Sequence, residues 1–274
     1  MIMSLNELSA VAVVEMVKAN WAEFYMHLGR AAISELSIGP HLSWLLTGVP
    51  DAFLNVVFRT DMPSSEADEI VDEALHHFRT RHIARLSWWV ETPATDVGRH
   101  LKSRGLTFNE GGTAMAADLR SVPDEAPTLA GLEIVRVVDR TALRPWIEVM
   151  RVGFGLPAGA ERRLFELFLG VALDPPMHTY LAIHEGRPVA TSQLFVGAGV
   201  GGIYNVTCLP EARGRGIGTA ITRAPLADAQ RQGYDLIILQ ASRLGYPIYR
   251  RLGFMDYGRL NTYQFSSDDT ESSS

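Results

Sequence analysis

The stretch Asn205 to Ala220, NVTCLPEARGRGIGTA, restricts the possible folds more than any other. An apolar strand ending at Cys208 meets a turn with Pro210, then Arg213-Gly214-Arg215-Gly216-Ile217-Gly218, then a helix-forming run to Gln232. A strand that feeds a glycine-rich turn opening a helix builds an anion site. The glycines let the backbone come close, successive N–H groups point the same way, and the helix N-terminus adds a favourable dipole. No Gly-Lys-Ser/Thr follows the turn, which argues against a nucleotide site of the P-loop type.

A second stretch, Leu239 to Phe254, LQASRLGYPIYRRLGF, lies one strand further on. Together the two resemble the GNAT superfamily of acyl-CoA-dependent N-acetyltransferases. Arg-x-x-Gly-x-Gly, with Val-x-Cys-x-Pro ahead of it, resembles that family's pyrophosphate loop. Tyr249, followed by Leu252-Gly253-Phe254, resembles its short helix with Asn-x-x-Ala-x-x-x-Tyr and a Leu-Gly-Phe stop; Ser242 and Gly245 stand where that helix most often has Asn and Ala. The resemblance is strong from Leu132 to Phe265 and weak over the first 120 or so residues.

The resemblance implies an α/β (α+β) fold with a mixed, mostly antiparallel central sheet flanked by helices. It implies acetyl-CoA as cosubstrate, held by Val206, Thr207, Cys208, Arg213, Gly214, Arg215, Gly216, Ile217, Gly218, Thr219, Ala220 and Ser242. A backbone amide within Val206 to Cys208 would polarise the thioester carbonyl. A primary amine would attack directly, and Tyr249 would act as general acid toward the departing thiolate. The alternative is a non-enzymatic acyl-CoA-binding or regulatory module, which the retained Tyr249 opposes.

The residue that takes the proton from the amine is open. Tyr204, Asn205, Glu166 and His184 are candidates, each also explicable as structural, and a water chain serves in many members of the family. Cys208 on an apolar strand reads as an inert small hydrophobe rather than an acyl carrier. His76 and His77 are adjacent on a helix and point to different faces; with His82 they make no metal site, and no metal is expected.

Composition bounds the rest. The 274 residues, 47% hydrophobic and 20% charged, suit a soluble globule of two ordinary domains. A net charge of −6, with no long Lys/Arg run, argues against a nucleic-acid partner. One cysteine excludes an internal disulfide and a cysteine-based zinc site. Glu7 and Glu15 interrupt the N-terminal apolar stretch, so no signal peptide is expected. The uncharged run Pro188 to Pro210 holds polar residues and a glycine-rich turn, so it reads as two strands and not a bilayer span. The expected protein is cytoplasmic, a monomer or homodimer, acting on a small-molecule or peptide amine, with no nucleic-acid or membrane partner.

In chain order, Leu5 to Arg30 has helical spacing, and His41 to Thr47 and Phe53 to Phe58 read as strands separated by Gly48-Val49-Pro50-Asp51. Ser65-x-x-Asp68 can start a helix; Ala84 to Val90 is a strand, Asp96 to Arg104 a short helix, and Phe108 to Leu119 two strands around Gly111-Gly112. This order repeats in the second half. Arg85 to Phe108 lies faintly over Leu236 to Phe254, with Gly105 opposite Gly253, which suggests a duplicated fold resembling tandem bacterial GNAT proteins with one degenerate half. The copy lacks the chemistry: no glycine occurs between Val49 and Val97, and Leu101 stands in the tyrosine position.

The expected boundaries are a degenerate domain at 1–120, a Pro-rich linker at 121–131, a catalytic domain at 132–265 and a disordered tail at 266–274. Within the second half, strands are expected at Leu132 to Val137, Thr179 to His184, Val189 to Val196, Gly202 to Cys208, Leu236 to Ala241 and Gly258 to Phe265. Arg140 to Phe154 and Ala160 to Ala172 read as helices. Pro225, inside the helix after Gly218, leaves the carbonyl of Ile221 without its N–H donor and should kink that helix.

Overall fold

The computed structural model describes residue 5 and residues 8–90, 95–122 and 129–266. The N-terminal half runs Ala10–Leu28 (α1), Glu35–Ile38 (β1), Leu42–Leu46 (β2), Asn55–Thr60 (β3), Ala67–Thr80 (α2), Arg85–Val90 (β4), Asp96–Ser103 (α3), Thr107–Asn109 (β5) and Thr113–Asp118 (β6). The C-terminal half runs Leu132–Val137 (β7), Arg140–Gly153 (α4), Glu161–Leu169 (α5), Met177–His184 (β8), Arg187–Gly197 (β9), Val200–Cys208 (β10), Ile217–Arg231 (α6), Leu236–Ala241 (β11), Tyr246–Arg251 (α7), Met255–Arg259 (β12) and Asn261–Ser266 (β13).

Local chemistry accounts for most boundaries. Ser9 caps α1 by accepting the Ala12 N–H at 3.1 Å, so the helix starts at Ala10 and not at Leu5. Thr95 caps α3 in the same way through Gly98 N–H. Ser65 does not cap α2: the N-cap position falls on Glu66, whose side chain makes no capping bond. The expected strand from Gly258 to Phe265 is two strands, β12 and β13, which enter different sheets. Strand β1, a four-residue edge strand, has too little pattern to be read from sequence. Of the expected linker, 123–128 lie outside the described residues. So do 267–274 of the expected disordered tail, whose first residue, Ser266, is the last of β13.

Two mixed sheets form, in the orders β1-β2-β3-β4-β13-β5 and β12-β6-β11-β10-β9-β8-β7. Each holds one parallel pair, β3 with β4 and β10 with β11, and is otherwise antiparallel. The orders correspond, with β1 to β5 matching β8 to β12, and each half gives its last strand to the other. Strand β6 inserts between β11 and β12, and β13 inserts between β4 and β5. The expected boundaries at 1–120 and 132–265 therefore divide the sequence but not the sheets.

The two exchanged connections cross backbone against backbone. A Cβ at Gly111 would collide with the Leu260 carbonyl, and the Leu260 N–H donates to Gly112 C=O at 3.1 Å. Glycine is required there for close approach, not for a turn. The core is continuous across the halves. Phe24, Tyr25, Leu45 and Val56 share one cluster with Trp146, Met150, Leu164, Phe168 and Phe195. Val13, Val17 and Trp21 of α1 share another with Val200, Ile238 and Leu260. Helix α1 thus lies against β9, β10 and β12, and brings its aromatic face to the end of β10.

Candidate active site

Strands β10 and β11 pair from Gly201↔Ile237 to Ile203↔Leu239 and then part. A bulge starts the divergence: Tyr204 faces Gln193 and Thr207 faces Thr191, so β10 carries one extra residue. Asn205 takes the left-handed conformation there (φ 50°), which asparagine tolerates better than most residues. Its carbonyl accepts the Thr191 hydroxyl at 2.8 Å, and its amide donates to Gln193 Oε1. The bulge is thereby fixed, with Val206 at its end facing the gap. Thr207 and Cys208 rejoin the ladder opposite Thr191 and Ala190.

Beyond β10, Arg213 binds the turn to its surroundings. Its Nε donates to Cys208 C=O and its Nη2 to Gly153 C=O, both at 3.1 Å. Gly214 and Gly216 have φ of 75° and 82°, a region that strains any other residue. Gly216 is the N-cap of α6, with no side-chain capping bond and no acid in the first turn. The first N–H groups of α6 are thus left for an outside acceptor. Ala220 differs from the sequence reading, because its N–H already donates to Gly216 C=O at 3.1 Å. The Ile217 and Ala220 side chains are buried in the core. Gly218 serves packing: a Cβ there would lie 3.1 Å from Ile248 Cδ1, where α6 meets α7.

Pro225 sits inside α6 as expected. The carbonyl it leaves without a helical donor, that of Ile221, accepts the buried Ser192 hydroxyl at 2.9 Å. A side chain from β9 thus replaces the missing backbone bond and ties the helix to the sheet.

Across the gap, Ser242 Oγ accepts the Gly245 N–H at 3.1 Å and shapes the entry to α7. Gly245 leaves room for the Tyr249 ring, since a Cβ there would lie 2.7 Å from its Cε2 and 3.2 Å from its hydroxyl. The Tyr249 ring is buried, with Phe254 edge-on at 5.9 Å. Burial, and secondarily the proximity of Cys208, raises the Tyr249 pKa well above that of an ordinary phenol. Tyr249 therefore keeps its proton at neutral pH and can donate it. Burial pushes the Cys208 thiol up to about 11 against the opposing pull of Arg213, which favours the protonated thiol at neutral pH.

Val206, Ser242 and Tyr249 open into one cavity of about 860 Å³. Much of its wall comes from the first half of the chain, including Trp21, Phe24, Tyr25, Asp51, Phe53 and Glu110. Sequence reasoning missed these residues. Asp51 looked like turn chemistry, and the α1 aromatics looked like core. Of the residues considered as bases, Tyr204 and Asn205 line the cavity. The Tyr204 hydroxyl is engaged, donating to Asn20 Oδ1 at 2.6 Å, and its pKa is raised by burial and by Tyr25. Glu166 pairs with Arg162 at 3.8 Å on α5, and His184 ends β8 at the hairpin turn; neither lines the cavity. His77 pairs with Glu35 at 2.9 Å. Among the described residues no group of three or more His, Cys, Asp or Glu is placed to hold a metal ion, and no helix is long and apolar enough to cross a membrane.

Residues 175–256, which include the β10–α6 junction and Tyr249, match the family model of the acetyltransferase (GNAT) domain. No curated protein matches the chain. Among solved structures, it is similar to a GCN5-related N-acetyltransferase from Kribbella flavida, at 17% identity and a TM-score of 0.66 over 92% of this chain and 98% of that one. It is also similar to a GCN5-related N-acetyltransferase from Sphaerobacter thermophilus, at 20% identity and a TM-score of 0.63 over 94% and 92%. A tandem GNAT protein from the clavulanic acid biosynthesis pathway aligns at 17% identity with a TM-score of 0.57, over 94% and 97%. These likenesses run through both halves and concern the fold.

Proposed function

We propose that this chain is a tandem-type member of the GNAT superfamily and an N-acetyltransferase that moves the acetyl group of acetyl-CoA to a primary amine by direct attack. The observation that carries the reading is the parting of β10 and β11 past Ile203↔Leu239. An uncapped glycine-rich helix start follows β10, and a protonated tyrosine follows β11.

The loop has the features a pyrophosphate needs. The first N–H groups of α6 would hold it, with the glycine conformations allowing close approach and no first-turn acid opposing the charge. Arg213 braces the loop through two carbonyls, and Arg215 is exposed beside it. Val206 at the bulge is the backbone position for the thioester carbonyl. In the reaction the amine nitrogen forms a bond to the carbonyl carbon, the carbon–sulfur bond breaks, the amine proton passes to solvent, and Tyr249 protonates the thiolate. The raised pKa of Cys208 supports direct transfer over an acyl-cysteine. No metal enters this chemistry. The acceptor is a small-molecule or peptide amine, the site of action is the cytoplasm, and residues 1–120 are a copy that shapes the acceptor side.

Release of thiol from acetyl-CoA in the presence of a panel of primary amines tests the reading. Amine-dependent release by the intact chain is expected. Tight CoA binding with no release for any amine would favour the second reading, a regulatory acyl-CoA-binding module.

A further inference from the structure

Five charged side chains line the 860 Å³ cavity: Asp51, Glu110, Arg243, Asp256 and Arg259. Glu110 pairs with Arg259 at 3.7 Å. Asp256 pairs with Arg250 at 3.6 Å and accepts the Tyr246 hydroxyl at 2.7 Å. Asp51 and the exposed Arg243 have no ion-pair partner within 4 Å among the described residues. Asp51 is the more enclosed of the two, and its Oδ1 accepts the Phe53 N–H at 2.8 Å. Burial raises its pKa, against the pull of the Phe53 and Leu54 amides and of Arg85.

The surroundings of Asp51 are aromatic. Tyr25 lies close enough that the Asp51 charge raises its pKa, second to burial. Phe24 meets Tyr25 edge-on at 5.5 Å and stacks on Tyr204 at 4.0 Å and 1°. A continuous run of rings thus leads from Asp51 to the β10 bulge. Phe53 and Phe154, which also line the cavity, are 49% and 47% exposed. A half-buried carboxylate among ring faces is poorly solvated, and a cation satisfies both the carboxylate and the rings.

We propose that the acceptor is a cationic amine with an aromatic or branched aliphatic body, and that Asp51, supplied by the N-terminal half, is the residue that selects it. This rests on the acetyltransferase reading of the cavity. The rings hold the apolar body, the carboxylate pairs with the ammonium as it enters, and the ammonium gives up a proton to solvent before its nitrogen attacks; the cavity is large enough for a drug-sized molecule. The degenerate half then has a definite task, which is to choose the acceptor.

The test uses three probes of one shape and different charge: 2-phenylethylamine, 2-phenylethanol and 3-phenylpropionate. Calorimetry on the full chain should show the amine binding about tenfold or more tighter than the other two, the usual scale for a hydrogen bond to a charged partner. Asp51→Asn, which retains an oxygen for the Phe53 N–H, should remove that preference while acetyl-CoA affinity and the unfolding midpoint stay as in wild type. Asp51→Glu should retain the preference for amine over alcohol. The proposal is overturned if the carboxylate binds as well as the amine, if no probe binds, or if Asp51→Asn keeps the preference. Should Asp51→Asn not fold, the charge series on wild type and Asp51→Glu still decide. Failure of the underlying reading is separate: it would appear as no acetyl-CoA binding by wild type, whatever the probes do.

Discussion

Each half of the chain has a parallel strand pair with a helix crossing between its strands, and the two junctions differ in charge and in space. In the C-terminal half, β10 leads through Gly214 and Gly216, both in left-handed conformations, to a helix start with no acid in its first turn. In the N-terminal half, β3 leads through Asp61 to Glu66, without a glycine, to a helix start carrying Asp68 and Glu69. Asp68 and Asp72 are bound across to Arg104, and Asp68 also to His100, which fastens α2 to α3 and lowers both carboxyl pKa values. The gap between strands differs too. Past Val57↔Trp88 the indole of buried Trp88 bridges to Thr60 Oγ1 at 2.9 Å, whereas past Ile203↔Leu239 the strands part around a cavity. The same topology thus parts around a cavity in one place and is bridged by a buried indole in the other. What decides is whether small residues and bare N–H groups, or acids and large rings, occupy equivalent positions.

The largest effect expected from breaking this contrast is at Tyr249, whose counterpart position holds Leu101. Tyr249→Phe should keep CoA affinity and lower the single-turnover rate of acetyl transfer about ten- to thousandfold, the range for loss of a positioned acid. A single-turnover rate equal to wild type with the best amine would leave Tyr249 a packed tyrosine and nothing more. Next is Gly216→Glu, which makes the C-terminal junction resemble the N-terminal one. It forces a side chain into φ 82° and places a negative charge at the helix start, so acetyl-CoA affinity by calorimetry should fall about a hundredfold or more. Unchanged binding in a folded variant would remove the loop from the CoA site.

A smaller effect concerns stability. Helix α2 has no internal proline, while α6 depends on Ser192 to satisfy the Ile221 carbonyl. Ser192→Ala should therefore destabilise the chain by about 1–3 kcal/mol in chemical denaturation, the cost of an unsatisfied buried carbonyl. A loss near zero would mean that water or a shifted helix supplies the bond. The smallest expectation is no effect. CoA should bind with a stoichiometry of one per chain, and Asp68→Asn should leave it at one, since the Trp88 bridge still closes the gap between β3 and β4. Two molecules per chain would end the distinction between the halves.

The sequence by itself determined what depends on neighbouring residues. Gly214, Gly216 and Pro225 restrict their own backbone, Ser9 and Thr95 cap the helices that follow them, and the apolar spacing of α1 and of β7 to β11 sets element type. The GNAT resemblance and Tyr249 were legible because loop, strand and tyrosine lie within about fifty residues at fixed spacing. Only the tertiary structure decided which sheet the exchanged strands join. Strand β6, Thr113–Asp118, is short and built largely of alanine, and nothing local distinguishes pairing with β11 from pairing with β4. Its place depends on burying surface against segments more than a hundred residues away, as does that of β13. The same holds for Gly111, read as a turn but required by the passing Leu260 carbonyl, and for Ser192, an ordinary strand serine until Ile221 comes opposite. Asp51 joins the cavity for that reason as well: α1, β3 and β10 meet through a shared core, and a carboxylate that looks like turn chemistry in the sequence faces the site in the fold.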